Sequence, residues 1–174
     1  TERGRAYPDI VNAVMSGKVK GLWIIGTNPL VSFPNREVLE HAFRQLDLLV
    51  VQDGFETPTT EIADVVLPAA VWGEKDGTYT NSERRVSRAR AAVSPPGQAR
   101  SDFDIFLGLA EHWGCRAELF PGWQTPEDAF TEWRAVSAGR PCDYSGITYD
   151  RIDAAGGVQW PCPADDPDVP LGGQ

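Results

Sequence analysis

Apolar residues fall along this chain in two rhythms. Residues 22–25 and 48–51 are short uninterrupted apolar runs bounded by turn formers, which fits strands buried on both faces. Between them, after Pro34 and Asn35, Val38, Leu39, Ala42, Phe43 and Leu46 recur at helical spacing opposite a charged face. A gap of roughly twenty residues holding one helix is the length of a parallel crossover, so the stretch reads as a βαβ unit. An earlier helix is predicted over residues 8–17, with Pro8 in its first turn and Gly17 at its end. A short helix over 57–63, opened by Thr57 and Pro58, and a third strand over 65–67, stopped by Pro68, extend the pattern. Residues 73–90 lose periodicity and gain Gly, Asn and charge, which predicts a long ordered loop or a hairpin. Ser101, with Asp104 three positions on, opens a helix whose apolar stripe is Phe103, Phe106, Leu107, Ala110 and Trp113, ended by Gly114. A last amphipathic helix is predicted over 126–138, with Ala129, Phe130, Trp133 and Val136 on one side. Residues 156–174 hold four Gly and four Pro and show no terminal helix or strand, so they read as a linker.

Composition narrows the function classes. With 41% hydrophobic and 24% charged residues in 174, there is material for a real core, and global disorder is excluded. Sixteen Lys and Arg against 25 Asp and Glu leave a net charge of −9, which argues against a nucleic-acid partner, because phosphate binding draws mainly on cations. The apolar runs are far shorter than the roughly 20 residues of a membrane span. Cys115, Cys142 and Cys162 are widely spaced without a C-x-x-C pair, so no disulfide framework or metal site is indicated and a reducing, cytoplasmic setting is expected. Thr1 in place of Met and the Gly/Pro-rich end together suggest a piece of a longer polypeptide.

Ligands of open parallel sheets bind beyond the carboxyl ends of the strands, so the residues following each run are read first. These are Gly26-Thr27-Asn28, Gln52-Asp53-Gly54 and, after the third run, Trp72 to Glu74-Lys75-Asp76-Gly77-Thr78. Asn28, Asp53 and Gly54 are equally at home as turn formers, and no GxGxxG or Walker loop decides between the two readings. Asp53 and Asp102 carry carboxylates able to accept two hydrogen bonds at once from guanine, yet Asp53 also suits a turn and Asp102 a helix start. Lys75 could neutralise a phosphate or simply be solvated. Arg84, Arg85, Arg88 and Arg90, beside Glu83, could clamp an anion or form surface ion pairs. His41 falls on a polar helix face and His112 near a helix end, and neither has a nucleophile nearby in sequence, so no catalytic residue is assigned.

Three blocks, GLWIIGTNPLVSFPN (21–35), VVQDGFETPTTEIADVVLPAAVWGEKDGTYTNSERRV (50–86) and PPGQARSDFDI (95–105), resemble the molybdenum-bis(molybdopterin guanine dinucleotide) oxidoreductases. RPCDYSGITYDRI (140–152) and GGVQWPCP (156–163) are similar to the segment that leads into that family's C-terminal barrel. The resemblance implies an α/β fold with a mainly parallel sheet, a Rossmann-like three-layer sandwich with an irregular C-terminal extension. The dinucleotide-binding-like domain is expected over 1–115 (core 18–114), a helical extension over 116–160, and a linker over 161–174 toward a barrel domain outside the chain. It further implies that Asn28, Gln52, Asp53, Lys75 and Asp102 contact one molybdopterin guanine dinucleotide. No molybdenum ligand is expected within the chain, and a 4Fe–4S centre only in a preceding region. GTNPLVSFP and RPCDYSG resemble assimilatory nitrate reductases, which implies nitrate as substrate, an electron donor protein or domain, and the remaining domains of the subunit as partners. The alternatives are a formate dehydrogenase α-subunit, which shares the ERR and WPCP elements, and a non-catalytic relative in a respiratory dehydrogenase complex, against which Arg84 argues. By itself the chain is expected to be inactive.

Overall fold

The computed structural model describes residues 6–165. Two compact units divide it, one running to Ala69 and taking in Gly97–Arg100, the other comprising Ala70–Pro96 and the described residues from Ser101 onward.

The first unit is built on three parallel strands, β1 (Gly21–Ile25), β2 (Leu48–Asp53) and β3 (Val65–Pro68), with β2 in the centre. Its core joins Ile24 of β1 and Leu49 and Val51 of β2 to Leu39 and Phe43 of α3 (Arg36–Phe43). Tyr7 and Val11 of α1 (Tyr7–Met15) and Leu30 of α2 (Pro29–Ser32) complete it, with Tyr7 stacked on Phe33 at 4.0 Å. The expected α/β class and parallel βαβ unit are therefore present. Val38 departs from its expected stripe and is exposed, because the buried face of α3 is centred on Leu39, Ala42 and Phe43. The helix expected over 57–63 contracts to a single 3₁₀ turn, Thr60–Ile62. The Thr57 N–H donates to Thr60 Oγ1 at 2.7 Å and the Thr60 hydroxyl to Thr57 O at 2.8 Å, local bonds that compete with helix propagation.

The second unit has an antiparallel sheet of order β4–β5–β6, from β4 (Gly77–Thr80), β5 (Arg85–Ala89) and β6 (Val158–Gln159). Residues 73–90 thus form the hairpin alternative, closed by a turn in which Asn81 Oδ1 accepts the Glu83 and Arg85 N–H groups, both at 3.0 Å. Four helices follow: α4 (Asp102–His112), α5 (Arg116–Leu119), α6 (Pro126–Ser137) and α7 (Tyr149–Ala155). The Ser101 cap is formed as expected, its Oγ accepting the Asp104 N–H at 3.1 Å. Trp113, Trp133 and Val136, assigned to buried stripes, are exposed. The linker expectation for 156–174 is corrected over its first part: β6 pairs with β5, and Val158 and Cys162 are fully buried in a core with Val86, Ile147 and Ile152. Residues 166–174 of that stretch lie outside the described residues. Among the described residues no helix is long and apolar enough to cross a membrane.

Candidate functional site

In the first unit the carboxyl edge of the sheet gathers Asn28, Gln52 and Asp53. Ile25 pairs with Gln52 and Asp53 with Pro68, so β2 runs two residues further than its apolar run and carries Gln52 and Asp53 as strand residues. Gly26 continues the ladder by donating to Gln52 O at 2.8 Å, then turns away at φ +61°, a conformation that favours glycine. Asn28 follows, with its side chain fixed: Oδ1 accepts the hydroxyl of fully buried Thr59 at 2.7 Å, and that hydroxyl oxygen accepts the Leu30 N–H at 3.3 Å. The carboxamide is thereby oriented with its NH₂ as the available donor end. Gln52 is fully buried, on the sheet face opposite Leu49 and Val51. Asp53 Oδ1 accepts the Phe55 N–H at 3.1 Å in an Asx turn. Beyond it lies an open depression of about 570 Å³ lined by Asp53, Phe55, Glu56, Glu61, Pro68 and Gln98.

Lys75 and Asp102 lie in the second unit. The loop of Lys75 is tied on both sides, the Val71 N–H donating to Glu74 Oε2 at 2.9 Å and the Ala91 N–H to Asp76 Oδ1 at 3.3 Å. Asp102 is the first residue of α4, where the helix dipole favours an anion. Lys75 Nζ is ion-paired with Asp102 Oδ2 across 27 positions of sequence. Asp102 keeps 37% of its side chain exposed, so solvent screens the pair and it contributes about 1 kcal/mol or less. Both residues border a second depression of about 250 Å³ with Gly77, Thr78 and Ser101.

The arginine run follows its surface ion-pair reading at Arg90 alone. Arg84, at φ +65°, places its guanidinium 5.5 Å from the centre of the Trp160 ring. Arg85 donates to Gly157 O at 3.4 Å, Arg88 lies 3.5 Å over the Tyr149 ring and Arg90 is ion-paired with Asp153. All four engage the segment running from α7 to β6 and Trp160, which makes them a bracket for that segment. Burial, more than any neighbouring charge, raises the Tyr149 hydroxyl above its ordinary pKa. His41 and His112 are exposed and hydrogen-bonded to residues four positions away, His41 to Gln45 just past the end of α3 and His112 to Gly108 O within α4. Among the described residues no group of three or more His, Cys, Asp or Glu is placed to hold a metal.

Sequence reasoning missed Thr59, which fixes Asn28, and Phe55 and Gln98, which line the depression beside Asp53. A buried threonine in a TPTT run looks like any loop residue. Phe55 did carry a signal, being a large apolar residue inside a turn otherwise made of Asp, Gly, Glu and Thr.

Comparison with known proteins gives the frame for these residues. Residues 2–112 match the molybdopterin oxidoreductase family. The chain is 43% identical over 169 residues to the F420-dependent formate dehydrogenase 1 subunit alpha of Methanococcus maripaludis, covering 97% of this chain and 24% of that protein. It is 38% identical over 164 residues to the assimilatory nitrate reductase catalytic subunit of Bacillus subtilis, covering 94% and 23%. The structure of acetylene hydratase from Pelobacter acetylenicus superposes with a TM-score of 0.65 at 25% identity, over 83% of this chain and 19% of that one. The chain thus spans about a quarter of the length of the curated relatives it matches. On the family match and these relatives together, the chain belongs to the molybdopterin oxidoreductase family.

Proposed function

We propose that this chain holds the guanine dinucleotide part of a molybdenum-bis(molybdopterin guanine dinucleotide) cofactor inside a longer catalytic subunit, and that the subunit is an assimilatory nitrate reductase. The observation carrying this reading is the chemistry at the strand ends and helix start: an amide fixed by Thr59, a carboxylate at the end of β2, and a lysine–aspartate pair at the start of α4. Those groups suit a nucleotide. Carboxylates accept the paired donors of guanine, amides reach base and ribose, and Lys75, shared with Asp102, offsets diphosphate charge. In this reading Asn28, Gln52, Asp53, Lys75 and Asp102 bind and orient, and none moves a proton or electron for the reaction. The bound cofactor would supply oxygen-atom transfer, in which nitrate, two electrons and two protons give nitrite and water; the protein's share is binding, orientation and electrostatics.

The wider organisation belongs to the same proposal: residues 1–115 as the dinucleotide domain, 116–160 as an extension, 161–174 leading to a barrel, a 4Fe–4S centre in a preceding region, an electron donor protein or domain, and a cytoplasmic location. Relatives named nitrate reductase and the GTNPLVSFP and RPCDYSG stretches support nitrate as substrate. Formate oxidation is the second reading, favoured by the formate dehydrogenase relatives that match nearly the whole chain. The test is an assay of the full catalytic subunit with nitrate plus reduced viologen and with formate plus oxidised viologen. Nitrite production without formate turnover supports the first reading; formate turnover without nitrite production overturns it in favour of the second.

A further inference from the structure

Within the second unit, where α6 packs against β4, lies a depression of about 410 Å³. It is lined by Thr78 and Thr80 of β4, Phe130 and Trp133 of α6, and Tyr144 and Tyr149, and none of the five residues proposed for the cofactor borders it. Its volume is within the roughly 300–1,000 Å³ of small-molecule sites. The walls are aromatic and meet steeply: the Tyr144 ring stands at 78° to Phe130 and 72° to Trp133, with centres 6.4 and 5.8 Å apart. Trp133 is 46% exposed, so the corner is open to an incoming group. Rings set in this way cage cations through the negative charge of their faces. The unit already uses that attraction internally, with Arg88 over the Tyr149 ring and Arg84 beside Trp160.

Two further observations narrow the guest. Glu127 is exposed on the first turn of α6, and its charge reaches Tyr149 together with those of Asp76 and Asp128, three carboxylates against the one guanidinium of Arg88. An anion is therefore disfavoured and a cation favoured. Tyr149 is only 9% exposed, and its hydroxyl has no hydrogen-bond partner among the described residues. A buried hydroxyl left in that state favours a guest that can donate to it or accept from it. We propose that this depression binds a small quaternary ammonium carrying a hydroxyl, the chemistry of choline. A primary ammonium would give up three N–H bonds to water on entering an aromatic corner, whereas a quaternary nitrogen has none to lose. Trp133, Phe130 and Tyr144 receive the charged head, Glu127 adds attraction from the rim, and the Tyr149 hydroxyl meets the hydroxyl of the guest.

The test titrates the full subunit carrying this chain by calorimetry with choline, with tetramethylammonium and with dimethylbutanol, the uncharged carbon analogue of choline. Choline should bind more tightly than either of the other two. Trp133→Ala should weaken choline binding about tenfold, with circular dichroism unchanged, and Trp133→Phe should recover part of the loss. Glu127→Gln should weaken it about threefold and lessen its salt dependence, leaving the uncharged analogue unaffected. No choline binding to wild type, an uncharged analogue that binds as tightly as choline, or wild-type choline affinity in Trp133→Ala overturns the cation site. Tetramethylammonium binding as tightly as choline overturns the part given to the Tyr149 hydroxyl.

Discussion

Asn28 illustrates how a residue proposed for the cofactor also supports the fold. Its Oδ1 is the acceptor for the hydroxyl of Thr59, which is fully buried, so Asn28→Ala leaves that hydroxyl without its acceptor. The expected loss is about 1 to 3 kcal/mol, read by urea unfolding of the purified chain. Thr59→Val should cost a similar amount, and the double substitution less than the sum, because each single change breaks the same bond. Lys75 and Asp102 differ, since their pair is partly exposed and holds little stability. Substituting Lys75 to Ala should shift the urea midpoint little. The sequence pointed to both positions by residue type but could not show the ion pair, because nothing in local pattern links positions 27 apart.

At the scale of elements, legibility followed the strength of the local signal. β1 and β2 were plain in their apolar runs, α3 in its stripe and the start of α4 in Ser101 and Asp104. The register that makes Gln52 and Asp53 strand residues was hidden, because polar side chains at a strand end look the same as a turn. α7 and β6 were missed for a different reason: their stability comes from tertiary contacts, including the arginine bracket and the loop around Asp143 and Gly146. In that loop Gly146 N–H donates to Cys162 O at 2.7 Å, and a Cβ on Gly146 would sit 2.7 Å from the carbonyl oxygens of both Cys162 and Pro163. Gly146→Ala should therefore destabilise the second unit by about 1 to 3 kcal/mol, as overpacking does, measured by the unfolding midpoint.

Asp143, at the centre of the same loop, accepts hydrogen bonds from Ser145 and from the Gly139 N–H, the latter at 2.7 Å, and these hold its carboxyl below the ordinary value of 3.8. Because the folded-state pKa is depressed, the contribution is complete above the unfolded pKa and is lost as pH falls below 3.8 through the folded one. Asp143→Asn should reduce stability at neutral pH and flatten its fall in acid, followed by thermal unfolding across that range.

Taken as a whole, the chain has an acidic balance and a parallel sheet, and its relatives are about four times as long. Its proposed share of the reaction is thus to hold and orient, which makes retention of the cofactor a more direct readout than turnover. At low ionic strength Lys75→Ala should weaken that retention, and added salt should narrow its difference from wild type, since Coulombic attraction to a diphosphate is screened.

The central claim is tested most directly by counting molybdenum and acid-released guanine nucleotide per polypeptide in the full subunit, wild type against Asp102→Ala, with Km for nitrate measured on the loaded fraction. The account predicts that both counts fall together while Km of the loaded fraction holds, because Asp102 contacts the cofactor and not the substrate. Full occupancy of both in Asp102→Ala, with activity lost, would place this residue in the reaction centre or the electron path and contradict the assignment.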